Sequence, residues 1–434
     1  MTDTPITSSP DLLVGADARP PAGVWRNPRG GFLVFLAIGT ITAAMALLVP
    51  GVLTLSLKAR IIDPAHPANL LSLAQAVAGV AQLISFPLLG RLSDRTLSRM
   101  GRRRPFILLG GVLIAIGTIG LLIAQSAPVL VIANVVLAIG YSGILVSSVS
   151  LIADQLAPNR RGPASAVVGL SLPVGAVIGL FVAQLVSPDL ALMILIPGAF
   201  AVVGAVVFAL LLKDSTITAD ERPAFSARAI LETYWVNPAK SPSFALAWWS
   251  RLLVFFGVSA VQAYQVFYLI AILHFSPAAV ANAVFLSTLV LTATALVFSA
   301  IAAKLSDVVG RRKPFVIAAA VVFAVGLVLA ATASGFGAFL LAIAVIGVGQ
   351  GIYLAVDIAL VTQILPDPGN PAKDLGIMNL ASTLPQALVP ALAPALLAIG
   401  ASAAVPQNYP ALFLAGAIAG VLGAALIVPI RKVR

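Results

Sequence analysis

Two aspartates stand where an ionised group is costly. Asp357 lies inside the tenth of twelve apolar runs, about 12 Å from the run's nearer end at 1.5 Å per residue, and Asp154 closes the fourth run. Asp357 shares a helical face with Gln350 and Tyr353, at spacings of seven and four residues. An acid, an amide and a phenol on one wall suit a polar solute and an exchangeable proton. A structural aspartate bonded to a neighbouring helix is the other reading. Asp154 shares a face with Ser147 and Ser150 and lies close in sequence to Arg160 and Arg161, so a helix-end ion pair competes with any role in proton transfer. No Lys, Arg or His is expected in mid-span beside either acid.

Further polar faces recur on apolar runs. Tyr264, Gln265 and Tyr268 occupy one arc of the seventh run, Asn379, Thr383 and Gln386 one face of the eleventh, and Gln75 and Gln82 one face of the second. Facing lipid they would be penalised, so they are expected to face other helices, either to meet a solute or to bond helix to helix. Pro50, Pro173, Pro385 and Pro390 mark places where helices can bend.

The elements that must carry these residues are membrane helices. The 434-residue chain is 60% hydrophobic and 9% charged, with a mean hydropathy of +1.07. A soluble fold of this length cannot hide so much apolar surface, so the bilayer is its solvent. Each apolar run is about 20 residues or longer, enough to span. All of the 26 basic residues except Lys58 and Arg60 fall on one side of the resulting topology, with Arg251 counted among those of the central loop region. That asymmetry accounts for the net charge of +11 without nucleic acid and puts both termini in the cytoplasm of a multi-pass cell-membrane protein. The chain has no cysteine, and His66 and His274 fall in loops or helix ends, which excludes thiolate chemistry and argues against a metal or histidine centre. No phosphate-binding loop is present, so ATP is not the energy source.

The chain also repeats itself. Gly101-Arg102-Arg103-Arg104-Pro105-Phe106 returns as Gly310-Arg311-Arg312-Lys313-Pro314-Phe315, an offset of 209, with Leu-Ser-Asp before each, ending at Asp94 and Asp307. Gly143-Ile144 and Gln155-Leu156 of the fourth run return as Gly351-Ile352 and Gln363-Ile364 of the tenth, an offset of 208. The expected fold is an all-α membrane protein of twelve helices in two six-helix pseudo-symmetric halves. The boundaries read as a polar tail at 1–30 without a signal-peptide core, a first half at 31–213, a central loop at 214–243, a second half at 244–430 and a tail at 431–434. Phe225, Ile230, Tyr234 and Trp235 in the central loop fit a short helix at headgroup level, or a plain tether.

Gly90, Asp94, Arg95, Gly101, Arg102 and Arg103 resemble the signature between the second and third spans of the major facilitator superfamily. The longer run Ser93-Asp94-Arg95-Thr96-Leu97-Ser98-Arg99-Met100-Gly101-Arg102-Arg103-Arg104-Pro105-Phe106 is similar to the same loop of the sucrose/proton symporters and the glycoside–cation symporter group. The second copy, with Asp307, Arg311 and Arg312, lacks four residues of the first and has no counterpart of Gly90. The resemblance implies a gate loop whose charges pair with neighbouring helix ends, and it places Asp154 at the span-four aspartate that sucrose symporters use for proton coupling, though the arginine that usually precedes it is missing. The antiporter Gly-Pro pair of span five is absent around Pro173.

Together these readings predict a secondary transporter, not an enzyme, with no cofactor and no metal. It would carry a sugar or similar small polar solute with protons, work as a monomer in the lipid bilayer, and bind no nucleic acid. Asp357 and Asp154 would handle the proton, and Tyr264, Gln265, Tyr268, Gln350, Tyr353, Asn379 and Gln386 the solute. An efflux exchanger for amphipathic compounds and a non-transporting receptor or scaffold are the alternatives.

Overall fold

Proline opens most of the helices, because a first-turn N–H has no intrahelical partner to lose. In the computed structural model, which describes residues 31–216, 240–366, 371–401 and 407–430, Pro67, Pro105, Pro128, Pro242, Pro277, Pro314, Pro385 and Pro410 all sit in first turns. Asp189, Ser276 and Asn408 cap three ends with side-chain oxygens. The expected tail at 1–30, most of the central loop with its headgroup-level segment, and the tail at 431–434 lie outside the described residues.

Among the described residues, twelve helices are long and apolar enough to cross a membrane. They are α1 (Phe32–Ile62), α2 (Pro67–Asp94), α3 (Arg104–Ile123), α4 (Ala127–Gln155), α5 (Arg161–Leu185), α6 (Leu190–Leu211), α7 (Pro242–Ala271), α8 (Pro277–Val309), α9 (Lys313–Ala331), α10 (Phe336–Val361), α11 and α12 (Tyr409–Ile427). α11 comes in two pieces, Pro371–Thr383 and Pro385–Leu397. Of the four prolines expected to bend helices, Pro385 stands at this break and Pro50 opens a wide π turn, Pro50–Thr54, within α1, where the Leu55 N–H reaches back to the Pro50 carbonyl.

The helices pack as two bundles with one plan. α1 lies against α5 and α6, α3 against α4 and α6, and α2 against α4; α9 lies against α10 and α12, α8 against α10, and α7 against α12 and α11. The offset of 209 reaches into the crossings. A Cβ on Gly117 would meet the Leu137 backbone nitrogen at 2.7 Å, and one on Gly326 the Ile346 backbone nitrogen at 2.7 Å. Both glycines let neighbouring backbones touch, as membrane helices do when apolar burial cannot drive them together.

The bundles join each other through α2 with α11 and α5 with α8. The joints gather on the face opposite the basic loops, called here the far face. Ser72 and Tyr264 share a hydrogen bond of 2.6 Å, Ser187 donates to the Ala278 carbonyl at 3.1 Å, and Phe181 meets Phe285 at 5.4 Å between ring centres. Gly79 lies directly against Ala387. These contacts hold the bundles together on the far face.

Gly326→Ala is expected to lower stability by about 1–3 kcal/mol, because the new methyl meets backbone that cannot yield. Gly169→Ala, inside α5 with open space around it, is expected to be neutral or slightly stabilising. Thermal unfolding of both variants in detergent checks the contrast.

Candidate functional site

Between the bundles, α1, α2, α4, α7 and α11 enclose a cavity lined by Gln75, Gln82, Asn134, Ser259, Gln262 and Gln386 together with apolar side chains and Gly51. Among the described residues, none that lines it carries a charge. Gln75 donates its amide to the Gly51 carbonyl at 3.0 Å, inside the wide turn of α1, and Asn134 donates to the Ala74 carbonyl at 3.1 Å. These bonds hold two amides in place while leaving their oxygens as acceptors.

The expected solute contacts separate. Gln386 lines the cavity, as do Gln75 and Gln82. Tyr264 is fully buried and its hydroxyl bonds Ser72 across the bundles. Tyr268 turns into its own bundle, donating to the Ala333 carbonyl at 3.2 Å and packing on Phe339 and Phe413 at 5.3 and 5.1 Å. Gln265 is buried in α7, Gln350 is half-buried, and Asn379 is exposed. Helical spacing does not single out Asn134, Ser259 and Gln262. Ser259 and Gln262 are three residues apart on α7, a polar face beside the arc of Tyr264, Gln265 and Tyr268.

Asp357 has a partner that the sequence places elsewhere. Arg251, counted with the cytoplasmic loop residues, sits in the third turn of α7 with 6% of its surface exposed, and its Nη1 lies 3.3 Å from Oδ2 of Asp357, which is 1% exposed. The expectation of no buried cation beside Asp357 is thereby corrected. Arg251 falls just inside the seventh apolar run and is counted with the neighbouring loop for its charge, whereas the third turn of α7 places it against α10. The guanidinium also stands 5.8 Å from the Phe255 ring centre, and Phe255 meets Tyr353 edge-on at 6.4 Å. The Tyr353 hydroxyl lies beside Asp357 and Ser250. The offset of 208 between the fourth and tenth runs pairs Asp357 with Val149, so the first bundle has no counterpart of this anion.

Asp154 is likewise paired differently from expectation. Arg102 and Arg103 hold it at 2.6 and 2.9 Å, while Arg161 donates to the Ala153 and Leu156 carbonyls. Arg103 also bonds Asp94 at 2.6 Å and Ser93 at 2.8 Å. The second copy repeats part of this with Arg312 and Asp307 at 2.9 Å, on a more exposed surface. Arg104 reaches the Leu210 carbonyl at 3.5 Å and Lys313 reaches the Val428 and Ile430 carbonyls, so the last basic residue of each copy meets the end of its bundle's sixth helix. Gly90 lets α2 approach Val146 of α4, Gly101 takes a φ of +99°, Arg95 ends α2, and Arg311 is exposed. Thr362 stands where the same offset of 208 would put a second Asp154, which leaves the second copy without that anion.

The chain matches the Major Facilitator Superfamily family model over residues 30–299 and 268–434. Among curated proteins, none matches it by sequence. Solved structures share the fold at low identity. A bacterial homologue of the human lysosomal transporter Spinster, inward-facing and unoccupied, has a TM-score of 0.69 at 16% identity, covering 91% of this chain and 95% of that one. A mutant of the nucleoside transporter NupG gives 0.72 at 14%, covering 92% and 100%. The human organic anion transporter MFSD10 gives 0.62 at 16%, covering 91% and 98%.

Tyr264→Phe removes a hydrogen bond that crosses the bundles and leaves Ser72 bonded to the Ala68 carbonyl. Losing about 1 kcal/mol from the far-face contacts is expected to raise the population open to that face about fivefold. Thiol labelling of a single cysteine introduced into the cavity of this cysteine-free chain measures it; an unchanged rate would assign the hold on that face to ring packing.

Proposed function

The chain belongs to the major facilitator superfamily, and on that premise we propose that it is a proton-coupled symporter of a small, uncharged, hydrogen-bonding solute such as a sugar. It works by alternating access in a cell membrane, with the basic face cytoplasmic. The observation that carries this reading is the cavity itself: five amides and a hydroxyl converge there, and no charge does. An amide offers both donor and acceptor, which matches a hydroxyl of either sense. A charged solute would find no counter-ion among these groups.

The buried ion pair supplies the coupling. Protonating Asp357 would leave Arg251 a desolvated cation without its anion, an arrangement that costs several kcal/mol unless the surroundings change. Proton loading therefore favours a shift of α7 against α10. The same helix carries Ser259 and Gln262 into the cavity, about 12 Å or more beyond Arg251 at 1.5 Å per residue. A movement that answers the proton is thus felt at the solute. Asp154, gripped by two arginines, fits the gate better than the proton, and Asp357 takes the coupling role alone.

Asp357→Asn is expected to keep solute exchange while pH-gradient-driven accumulation falls about tenfold or more, since an amide cannot release the proton. Arg251→Ala alone is expected to cost about 3 kcal/mol or more by stranding the buried carboxylate, and Arg251→Ala with Asp357→Ala to recover much of that stability without coupling. Proteoliposome uptake and thermal unfolding read the two effects. Full accumulation by Asp357→Asn would remove the carboxylate from the mechanism.

A further inference from the structure

Asp214, just beyond α6, joins the gate loop without belonging to its motif. Its Oδ2 accepts the backbone N–H groups of Arg103 at 2.6 Å and Arg104 at 2.9 Å, and its Oδ1 accepts the Ser215 N–H at 2.9 Å. The first two donors are at the start of α3, where N–H groups have no intrahelical partner and the helix dipole favours an anion. The joint continues on both sides. Arg102 donates its N–H to the Ser215 carbonyl at 3.2 Å, and Gln155 at the end of α4 donates its amide to the Lys213 carbonyl at 2.6 Å. Residues 213–215 thus tie together the ends of α3, α4 and α6.

Two further observations show that this contact is built. Gly101 has a φ of +99°, and a Cβ there would collide with the Asp214 side chain, so the glycine of the motif supplies both the turn and the room for the carboxylate. Burial raises the Asp214 carboxyl above the ordinary aspartate range although three N–H groups and Arg103 pull it down, so the protein holds this group in place against a desolvation cost.

We propose that Asp214 is a positioning residue of the gate. It clamps the backbone from which the Arg102 and Arg103 side chains leave, and so presents both arginines, already ordered, to Asp154 and Asp94. Without the clamp the loop gains freedom while the basic face is open. It must give that freedom up when the basic face closes and the loop is confined against the second bundle, which penalises the closed state. The proposal rests on the transporter reading and needs neither proton coupling nor a particular solute.

The test uses the full chain, which has no native cysteine, with Gln82→Cys placed in the cavity as a reporter and a membrane-impermeant maleimide as the probe. In oriented proteoliposomes, Asp214→Ala is expected to lower far-face labelling about fivefold relative to basic-face labelling, the equivalent of one lost bond of ordinary strength. Asp214→Asn keeps one oxygen acceptor without the charge and is expected to fall between. Thermal unfolding identifies the folded variants. An unchanged labelling ratio in folded Asp214→Ala, or in Asp214→Asn should the alanine variant not fold, overturns the proposal and leaves Asp214 a structural cap. Because no solute or pH gradient enters, failure here is separable from failure of the symport reading.

Discussion

Hydrocarbon accepts a charge only in company, and that constraint orders this molecule. Most of its cations fall in or beside one set of loops, at the helix ends rather than at depth. Arg251, at depth in α7, is held by Asp357 with Phe255 and Tyr353 around them. A buried pair of this kind contributes little net stability, because desolvation offsets the attraction, but it makes the protonation state of one partner a structural matter for both. A site that must feel a proton gains from such a pair, and a helix that needs only to pack does not.

The duplication gives the constraint its setting. The two bundles share their helix pairings, their glycine crossings and the contact between the last basic loop residue and the sixth helix. The copies diverge in their charged groups. The first bundle has Asp154 between Arg102 and Arg103, and Thr362 replaces it in the second. The second has Arg251 and Asp357, and Val149 stands in place of that aspartate in the first. One bundle carries the fuller charge network at its basic loop and the other the buried ion pair, with an amide-lined cavity between them.

Span number, bundle division and the repeated basic loop were legible because each leaves a one-dimensional trace: apolar length, charge asymmetry and a repeated hexapeptide. The candidate site was legible only in part. Helical spacing puts Gln75, Gln82 and Gln386 on inward faces, where the cavity meets them, but it cannot say which inward neighbour a side chain finds. Tyr264 and Tyr268 share the polar arc of α7, yet one bonds Ser72 across the bundles and the other the Ala333 carbonyl within its own. Arg251 was hidden by its distance in sequence from Asp357, and Asp214 by its place in a loop, where an aspartate is unremarkable until Arg103 and Arg104 are found beside it.

The account turns on an uncharged, hydrogen-bonding solute moving together with protons. The most direct measurement is proton flux in proteoliposomes carrying an internal pH indicator, challenged in turn with sugars, other neutral polar solutes, organic anions and amphipathic cations. The account predicts that a neutral polyhydroxylated solute evokes proton movement in the direction of solute entry. Silence toward every neutral solute, with proton counterflow evoked by amphipathic compounds instead, would contradict it and identify an exchanger.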